Sequence, residues 1–135
     1  DAEQMRYAKI LFATKQGMVK KVEGTEFQVA KRTIAATKLQ PEDELVTVQV
    51  ITDNQQIVLQ TKEGYFLRFA AEEVTDKKKG AVGVRGIKLK KNDELERVYL
   101  FEEGTECKIV YNEKEVTLNR LKIAKRDGNG TKYRG

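Results

Sequence analysis

Apolar and polar residues alternate along much of this chain with a period close to two. Val46, Val48 and Val50 alternate with polar neighbours, which is typical of a strand with one buried face. Further short segments rich in β-branched and aromatic residues lie at 56–60, 65–69 and 94–101. Helical periodicity persists nowhere for three turns, and the best one-turn candidates are 24–27 and 70–74. The pattern predicts an all-β chain of short strands.

The pattern also repeats. The segment Ile10–Lys21 matches Ile57–Arg68, 47 positions later, and both predict a strand, a Thr-Lys-x-Gly turn and a second strand. Gly17 and Gly64 stand where a tight hairpin requires a positive φ. Residues 37–46 match 87–96 at an offset of 50. The second copy therefore carries a small insertion between positions 69 and 87.

A weaker third copy begins near residue 106. We expect its first strand at 107–111 and a different turn, because Lys114 replaces the glycine; Arg134-Gly135 aligns with Arg85-Gly86. The predicted units are residues 7–54, 55–103 and, in part, 104–135. A unit of this length with about four short strands has the size of a propeller blade. Because the chain lacks an initiator Met, we expect it to be part of a longer protein.

Missing residue types exclude several kinds of chemistry. The chain has no His, no Ser, no Trp and a single cysteine, so a Ser-His-Asp or Cys-His catalytic set and a His/Cys zinc site cannot form. Cys107 is expected to be a buried apolar side chain in a reducing cytoplasm. Neither a run of about 20 apolar residues nor a signal peptide is present. We therefore expect a non-catalytic cytoplasmic domain with no cofactor, no metal and no membrane partner.

Positive charge is concentrated in loops at matching positions of the units. The net charge is +5, and residues 77–91 carry seven bases and no acid. Gly80, Gly83 and Gly86 suit a loop that approaches another group closely or turns sharply. The bases expected to contact phosphates are Lys77, Lys78, Lys79, Arg85, Lys88, Lys90 and Lys91, with Lys31, Arg32 and Lys38 in the first unit and Lys125, Arg126, Lys132 and Arg134 in the third. Few aromatic residues interleave with them, which favours duplex phosphates over stacked single-stranded bases.

Other polar groups allow two interpretations each. The acids of Asp43-Glu44 and Asp93-Glu94 recur at one unit position; they suit a turn better than a metal or acid–base site, because adjacent residues of an extended chain face opposite ways. Tyr133 suits a strand position equivalent to Val84, in a core or an interface, better than a nucleophile. Weaker phosphate-contact candidates on the second hairpin strands are Lys20, Lys21 and Arg68. The basic loops also fit a protein-interaction propeller whose charge only solvates it.

Two segments of the second unit carry a family resemblance. Lys62-Glu-Gly-Tyr-Phe-Leu-Arg68 and Gly83-Val-Arg-Gly-Ile-Lys-Leu89, followed by the acidic Asp-Glu turn, resemble a blade of the C-terminal domain of the A subunits of DNA gyrase and topoisomerase IV. In the first unit, Met18-Val-Lys-Lys21 and Lys31-Arg-Thr-Ile-Ala-Ala-Thr-Lys-Leu39 are more similar to topoisomerase IV blades. The resemblance covers nearly the whole chain.

The resemblance implies a β-pinwheel, a propeller-like array whose blades exchange strands. It implies that duplex DNA bends around a basic rim. It also implies a parent bacterial type II topoisomerase in the nucleoid that passes one duplex through another with an ATPase B subunit. The gyrase pattern Gln-Arg-Arg-Gly-Gly-Arg-Gly is absent, and Lys78-Lys-Gly-Ala-Val-Gly83 matches it poorly. Full gyrase-type wrapping is therefore not expected of this chain, which holds an arc of units, a self-associating set or a shortened domain.

Overall fold

The computed structural model describes residues 9–23, 42–52, 54–74 and 83–133. One-turn 3₁₀ helices lie at Ala71–Glu73 and Leu118–Arg120. The predicted all-β class is confirmed, as is the helical turn near 70–74, whereas the turn at 24–27 lies outside the described residues. The strands are β1 Lys9–Thr14, β2 Met18–Glu23, β3 Leu45–Ile51, β4 Gln55–Thr61, β5 Tyr65–Ala70, β6 Val84–Arg85, β7 Leu95–Glu102, β8 Lys108–Tyr111, β9 Lys114–Thr117 and β10 Thr131–Lys132.

The strands form sheets in which neighbouring units exchange a strand. The first sheet has the order β3-β1-β2-β6 and the second the order β10-β5-β4-β7. Strand β6 belongs to the second sequence unit but pairs with β2 of the first, and β10 of the third unit pairs with β5 of the second. The prediction of about four strands for each blade is confirmed for these two sheets. The third sheet contains β8 and β9 within the described part of the chain.

Each four-stranded sheet is built on the same hairpin. Gly17 and Gly64 have φ of +84° and +93°, which a residue with a Cβ rarely adopts. The hydroxyl oxygens of Thr14 and Thr61 accept backbone N–H groups just beyond the turn, at 3.2 and 3.0 Å. In the third sheet the turn consists of Asn112 and Glu113, both with positive φ. The expectation of a different turn there is confirmed.

The units stack through two apolar layers. Between the first and second sheets, Leu11 and Val19 pack with Leu59 and Phe69. Between the second and third sheets, Val58, Phe66 and Phe101 pack with Val116 and Leu118. Since burying each large apolar side chain contributes about 1.5–3 kcal/mol, these layers hold the units face to face.

The register of the exchanged strands corrects one detail of the sequence alignment. Arg85 pairs with Met18, whereas Lys132 pairs with Tyr65, the residue 47 positions after Met18. Lys132 is therefore the equivalent of Arg85, and Tyr133 is the equivalent of Gly86. The alignment of Arg134-Gly135 with Arg85-Gly86, and of Tyr133 with Val84, was wrong by two residues. It assumed an offset of 49, whereas the 3₁₀ turns at Ala71 and Leu118 and the exchanged strands recur at an offset of 47.

Candidate nucleic-acid interface

The candidate phosphate contacts that the structure describes are of two kinds, exposed lysines and arginines that are hydrogen-bonded to another unit. Arg85 and Arg126 bond to groups of other units. The candidates outside the described residues are Lys31, Arg32, Lys38, Lys77, Lys78, Lys79 and Arg134. The exposed lysines are Lys88, Lys90, Lys91, Lys125 and Lys132.

The basic loops of the second and third units lie side by side because their backbones are hydrogen-bonded. The Lys88 N–H donates to the carbonyl of Gly128 at 2.8 Å, and the Asp127 N–H donates to the carbonyl of Gly86 at 2.8 Å. The guanidinium of Arg126 donates to the carbonyl of Arg85 at 2.7 Å. The loop segments that carry Lys88 and Lys125 are therefore held beside each other.

An ion pair also joins the two loops. Arg85 donates through Nε to Asp127 Oδ1 and through Nη2 to Asp127 Oδ2, the second at 3.3 Å. This hydrogen bonding and the opposite charges raise the pKa of Arg85 and lower the pKa of Asp127. Arg85 remains about half exposed, at 54% of its side chain. A phosphate that approaches Arg85 must therefore compete with a carboxylate.

Arg126 is the more structural of the two arginines. Its backbone N–H donates to Glu73 Oε1 at 2.8 Å, and its Nε donates to the carbonyl of Glu73 at 3.0 Å. Glu73 belongs to the 3₁₀ turn of the second unit, so Arg126 fastens the third unit to it. The sequence predicted Arg126 as a phosphate contact and did not predict these hydrogen bonds to Glu73.

A groove between β5 and the third-unit loop contains further bases. Its walls include Phe66 and Leu67 of β5 and the loop 128–131. The bases on its lining are Arg68, which is 6% exposed, and Arg120, Lys122, Lys125 and Arg126. Arg120 and Lys122 were not predicted; the run of bases at 120, 122, 125 and 126 was the available signal.

The close approach suggested by the loop glycines is made to a neighbouring strand. A Cβ atom at Gly83 would lie 2.2 Å from the carbonyl oxygen of Val19. At Gly130, 47 positions later, it would lie 3.0 Å from the carbonyl oxygen of Phe66. Both glycines therefore admit the exchanged strand to the adjacent sheet, and this packing accounts for their place in the loop.

The basic residues on the second hairpin strands are buried. Lys20, Lys21 and Arg68 are 2%, 3% and 6% exposed. Lys20 lies over the ring of Phe12, with Nζ 5.2 Å from the ring centroid. This burial leaves little of each side chain for a phosphate to reach, so the three residues are weaker candidates for DNA contact than the exposed lysines.

The repeated acids serve turns, as predicted. Oδ1 of Asp43 accepts the backbone N–H of Gln16 at 3.0 Å, and Oδ1 of Asp93 accepts that of Glu63 at 3.0 Å. Each Oδ1 also accepts the N–H of the next residue at 2.8 Å. One oxygen of each acid thus ties a hairpin turn to the start of the unit's last strand.

Tyr133 and Cys107 occupy interface positions. Tyr133 makes edge-to-face contacts with Phe66 and Tyr111, at centroid distances of 6.0 and 6.1 Å, so the prediction of a core or interface role is confirmed. Cys107 is half-buried, less than the expected full burial, and burial raises the pKa of its thiol. Among the described residues, no cluster of three or more His, Cys, Asp or Glu side chains could hold a metal ion. No helix in the described ranges is long and apolar enough to cross a membrane.

These features define a class of repeat protein in which propeller-like blades exchange strands and carry basic loops. The family model described as "DNA gyrase C-terminal domain, beta-propeller" matches residues 8–52 and 55–101. The chain belongs to this family of gyrase C-terminal domains.

Relatives and solved structures agree with this assignment. The DNA gyrase A subunit of Lawsonia intracellularis is 35% identical over 117 residues, 86% of this chain and 14% of that protein. The DNA topoisomerase 4 A subunit of Bacillus subtilis is 42% identical over 88 residues, 64% of this chain and 11% of that protein. The C-terminal domain of DNA topoisomerase IV superposes with a TM-score of 0.77 at 26% identity, over 93% of this chain and 41% of that one. The gyrase A C-terminal domain has a TM-score of 0.79 at 23% identity, over 93% and 43%.

Proposed function

We propose that this chain binds and bends duplex DNA as a non-catalytic module of the A-type polypeptide of a type II topoisomerase. The observation that carries the proposal is the hydrogen-bonded pairing of the two basic loops, through Lys88 with Gly128 and Arg126 with Arg85. This pairing holds the loops that carry exposed lysines of consecutive units beside each other. Such an array suits a duplex, whose phosphates are regularly spaced, and neutralising them releases counterions.

The contacts are to phosphates and carry little sequence readout. The described exposed bases lie on loops and short strands, and no α-helix is available in the described ranges to enter a major groove. The net charge of +5 favours association with a polyanion. Bending stiff DNA costs several kcal/mol, so many weak contacts must act together.

The parent protein in this proposal passes one duplex through another with ATP. This chain spans 14% of the length of the gyrase relative that it matches. The covalent chemistry belongs to other parts of that polypeptide, and ATP hydrolysis belongs to a separate B subunit. The module itself requires no cofactor, and it works in the bacterial cytoplasm on the nucleoid.

The test is a titration of a labelled duplex of about 40 base pairs at several salt concentrations. Lys91→Ala with Lys125→Ala removes two exposed bases of the paired loops. We expect affinity to fall about tenfold at low salt and the slope of log affinity against log salt to decrease by about 1.8. The matched control, Lys108→Ala with Lys114→Ala, removes the same charge from the third sheet and is expected to change affinity less than about twofold.

Equal losses of affinity in both double variants would mean that binding depends only on net charge. The paired loops would then not be the binding site. A wild-type chain that binds no duplex even at low salt would overturn the proposal. That result would favour a protein-interaction propeller whose basic loops are only solvated.

A further inference from the structure

A buried cation joins each four-stranded sheet to the next unit. Lys21 on β2 and Arg68 on β5 lie 47 positions apart and are 3% and 6% exposed. Nζ of Lys21 donates to the carbonyl of Ala71 at 3.1 Å. Nη1 of Arg68 donates to the carbonyls of Asn119 and Leu121 at 2.8 and 3.0 Å. In both cases the acceptors belong to the 3₁₀ turn of the following unit or to the residue after it.

The repetition is geometric as well as chemical. Ala71 begins the first 3₁₀ helix, and Leu118, 47 positions later, begins the second. The carbonyls of a single helical turn have few partners of their own, so they are natural acceptors for a cation. A basic donor at the same strand position therefore recurs at both described junctions, and its acceptors lie in or next to the same helical turn, at Ala71 in one and at Asn119 and Leu121 in the other.

Arg68 is held from several sides. Its Nε donates to Gln56 Oε1 at 3.2 Å, and its guanidinium lies 5.1 Å from the centroid of the Phe101 ring. Its backbone carbonyl accepts the N–H of Ala124 at 2.8 Å. A buried charge is tolerated only while its hydrogen bonds are complete. The guanidinium therefore restricts the third unit to positions that keep those carbonyls in reach.

The third sheet lacks such a residue at the equivalent position. The register pairs Val58 with Arg68 in the second sheet and Val110 with Glu115 in the third. Glu115 is exposed and pairs with Lys108 at 3.5 Å. Within the described residues, a buried cation is thus found at both junctions between units.

We propose that Lys21 and Arg68 are positioning residues that fix the angle between consecutive units and thereby the bend of bound duplex DNA, without touching the DNA. This inference rests on the proposed function. The link is short in the chain, because Leu121 is followed at once by Lys122 and, four residues on, by Lys125. A shift of the carbonyl turn would move these bases relative to the lysines of the second unit.

The first experiment separates bend from affinity. Arg68→Met replaces the guanidinium with an apolar side chain of similar length and removes every hydrogen-bond donor. Arg68→Lys keeps a positive charge, as in Lys21. The readout is energy transfer between labels at the two ends of a duplex of about 40 base pairs, measured when all the DNA is bound. We expect the bound DNA to have a longer end-to-end distance, and so a smaller bend, with Arg68→Met than with wild type. Its affinity for a duplex of about 12 base pairs stays within about twofold of wild type, and Arg68→Lys restores most of the bend.

The control is Lys125→Ala, which removes an exposed base. We expect it to lower affinity for the short and the long duplex alike. An unaltered bend in Arg68→Met would overturn the inference. So would a loss of affinity for the short duplex as large as that of Lys125→Ala, because Arg68 would then act as a contact.

A second measurement is independent of DNA. Spin labels at Glu72→Cys and Lys122→Cys, in a Cys107→Ala background, report the distance between the second and third units. We expect Arg68→Met to shift or broaden this distance and Arg68→Lys to leave it near that of wild type. An unchanged distance in Arg68→Met would show that Arg68 does not fix the position of the third unit relative to the second. If the distance changes but the wild-type chain binds no DNA, the proposed function fails, and the assignment of a bend falls with it.

Discussion

Asp127 of the third unit holds Arg85, a residue of the second unit whose strand lies in the first sheet. This one ion pair therefore connects all three units. It also places a carboxylate on the surface proposed for phosphate binding. Asp127 both positions Arg85 and competes for it, and the two roles predict different outcomes.

Removal of the Asp127 charge is expected to strengthen DNA binding. In Asp127→Asn the guanidinium of Arg85 becomes available to a phosphate, and one repulsive charge leaves the surface. We expect a higher affinity for duplex DNA at low salt and a salt slope steeper by about 0.9, as for one additional neutralised phosphate. Fluorescence anisotropy would measure both, with Glu115→Gln as a control of equal charge on the third sheet. Weaker binding would mean that the ion pair mainly positions Arg85.

The same pair predicts an acid-dependent contribution to folding. The hydrogen bond and charge of Arg85 hold the pKa of Asp127 below its usual range. A lowered pKa in the folded state stabilises the fold above the unfolded value of about 3.9, and this stabilisation is lost as pH falls through the folded pKa. Urea unfolding at several pH values should show wild type more stable than Asp127→Asn near neutral pH and the difference closing in acid. A difference that is constant with pH would contradict the assignment.

Loss of a turn acid is expected to lower the free energy of unfolding more than loss of the Arg85–Asp127 pair does. Asp93→Ala removes the acceptor of the backbone N–H groups of Glu63 and Glu94, and we expect unfolding to become easier by about 1–3 kcal/mol. Asp93→Asn retains one acceptor oxygen and should cost less. Chemical denaturation would measure both. Equal stability of Asp93→Ala and wild type would show that water replaces the carboxylate without loss.

Strand exchange depends on the absence of a side chain at Gly83. In Gly83→Ala the new methyl group would overlap the carbonyl of Val19, so β6 must move away from β2. We expect a loss of at least about 1–3 kcal/mol. Gly104→Ala is the control, because its φ of +87° is strained for alanine while nothing lies within 4 Å of the new Cβ. Hydrogen exchange at Val19, which pairs with Val84 of β6, would report opening of the exchanged strand. Similar effects of both substitutions would argue against a steric cause.

The third hairpin offers a stabilising substitution. Asn112 and Glu113 form its turn with φ of 52° and 66°, and glycine is favoured at the second of these positions. We expect Glu113→Gly to raise the free energy of unfolding by about 0.5–1 kcal/mol. Thermal unfolding would measure the change, with Glu103→Gly as an exposed comparison in the same charge class. A decrease in stability would indicate that Glu113 makes a contact worth more than its backbone strain.

Local sequence was sufficient for the hairpins and turns. Gly17 and Gly64 mark tight turns by their own conformational needs, and Asp43 and Asp93 act on groups within a few strands of one unit. The paired loops were anticipated only as separate basic segments. Their joining depends on backbone bonds such as Lys88 with Gly128, which no local pattern encodes.

The burial of Lys21 and Arg68 could not be foreseen for a related reason. A basic residue on a strand usually faces solvent, and its acceptors here come from about 50 positions later in the chain. Strand β6 could not be predicted from the sequence either, because Val84 and Arg85 form only a two-residue strand inside a glycine-rich loop. Long-range partners decide both cases.

The spacing of the buried cations has a consequence for how such proteins change in length. Each joint uses groups of two adjacent units. The donors recur at an interval of 47 positions, and so do the 3₁₀ turns that supply the acceptors, at Ala71 and Leu118. A deletion that fuses residue 20 to residue 68 would put Arg68 in the place of Lys21 and leave a working joint ahead of it. Gene duplication or loss of one whole interval therefore lengthens or shortens the array in discrete steps that keep a buried basic residue at each junction.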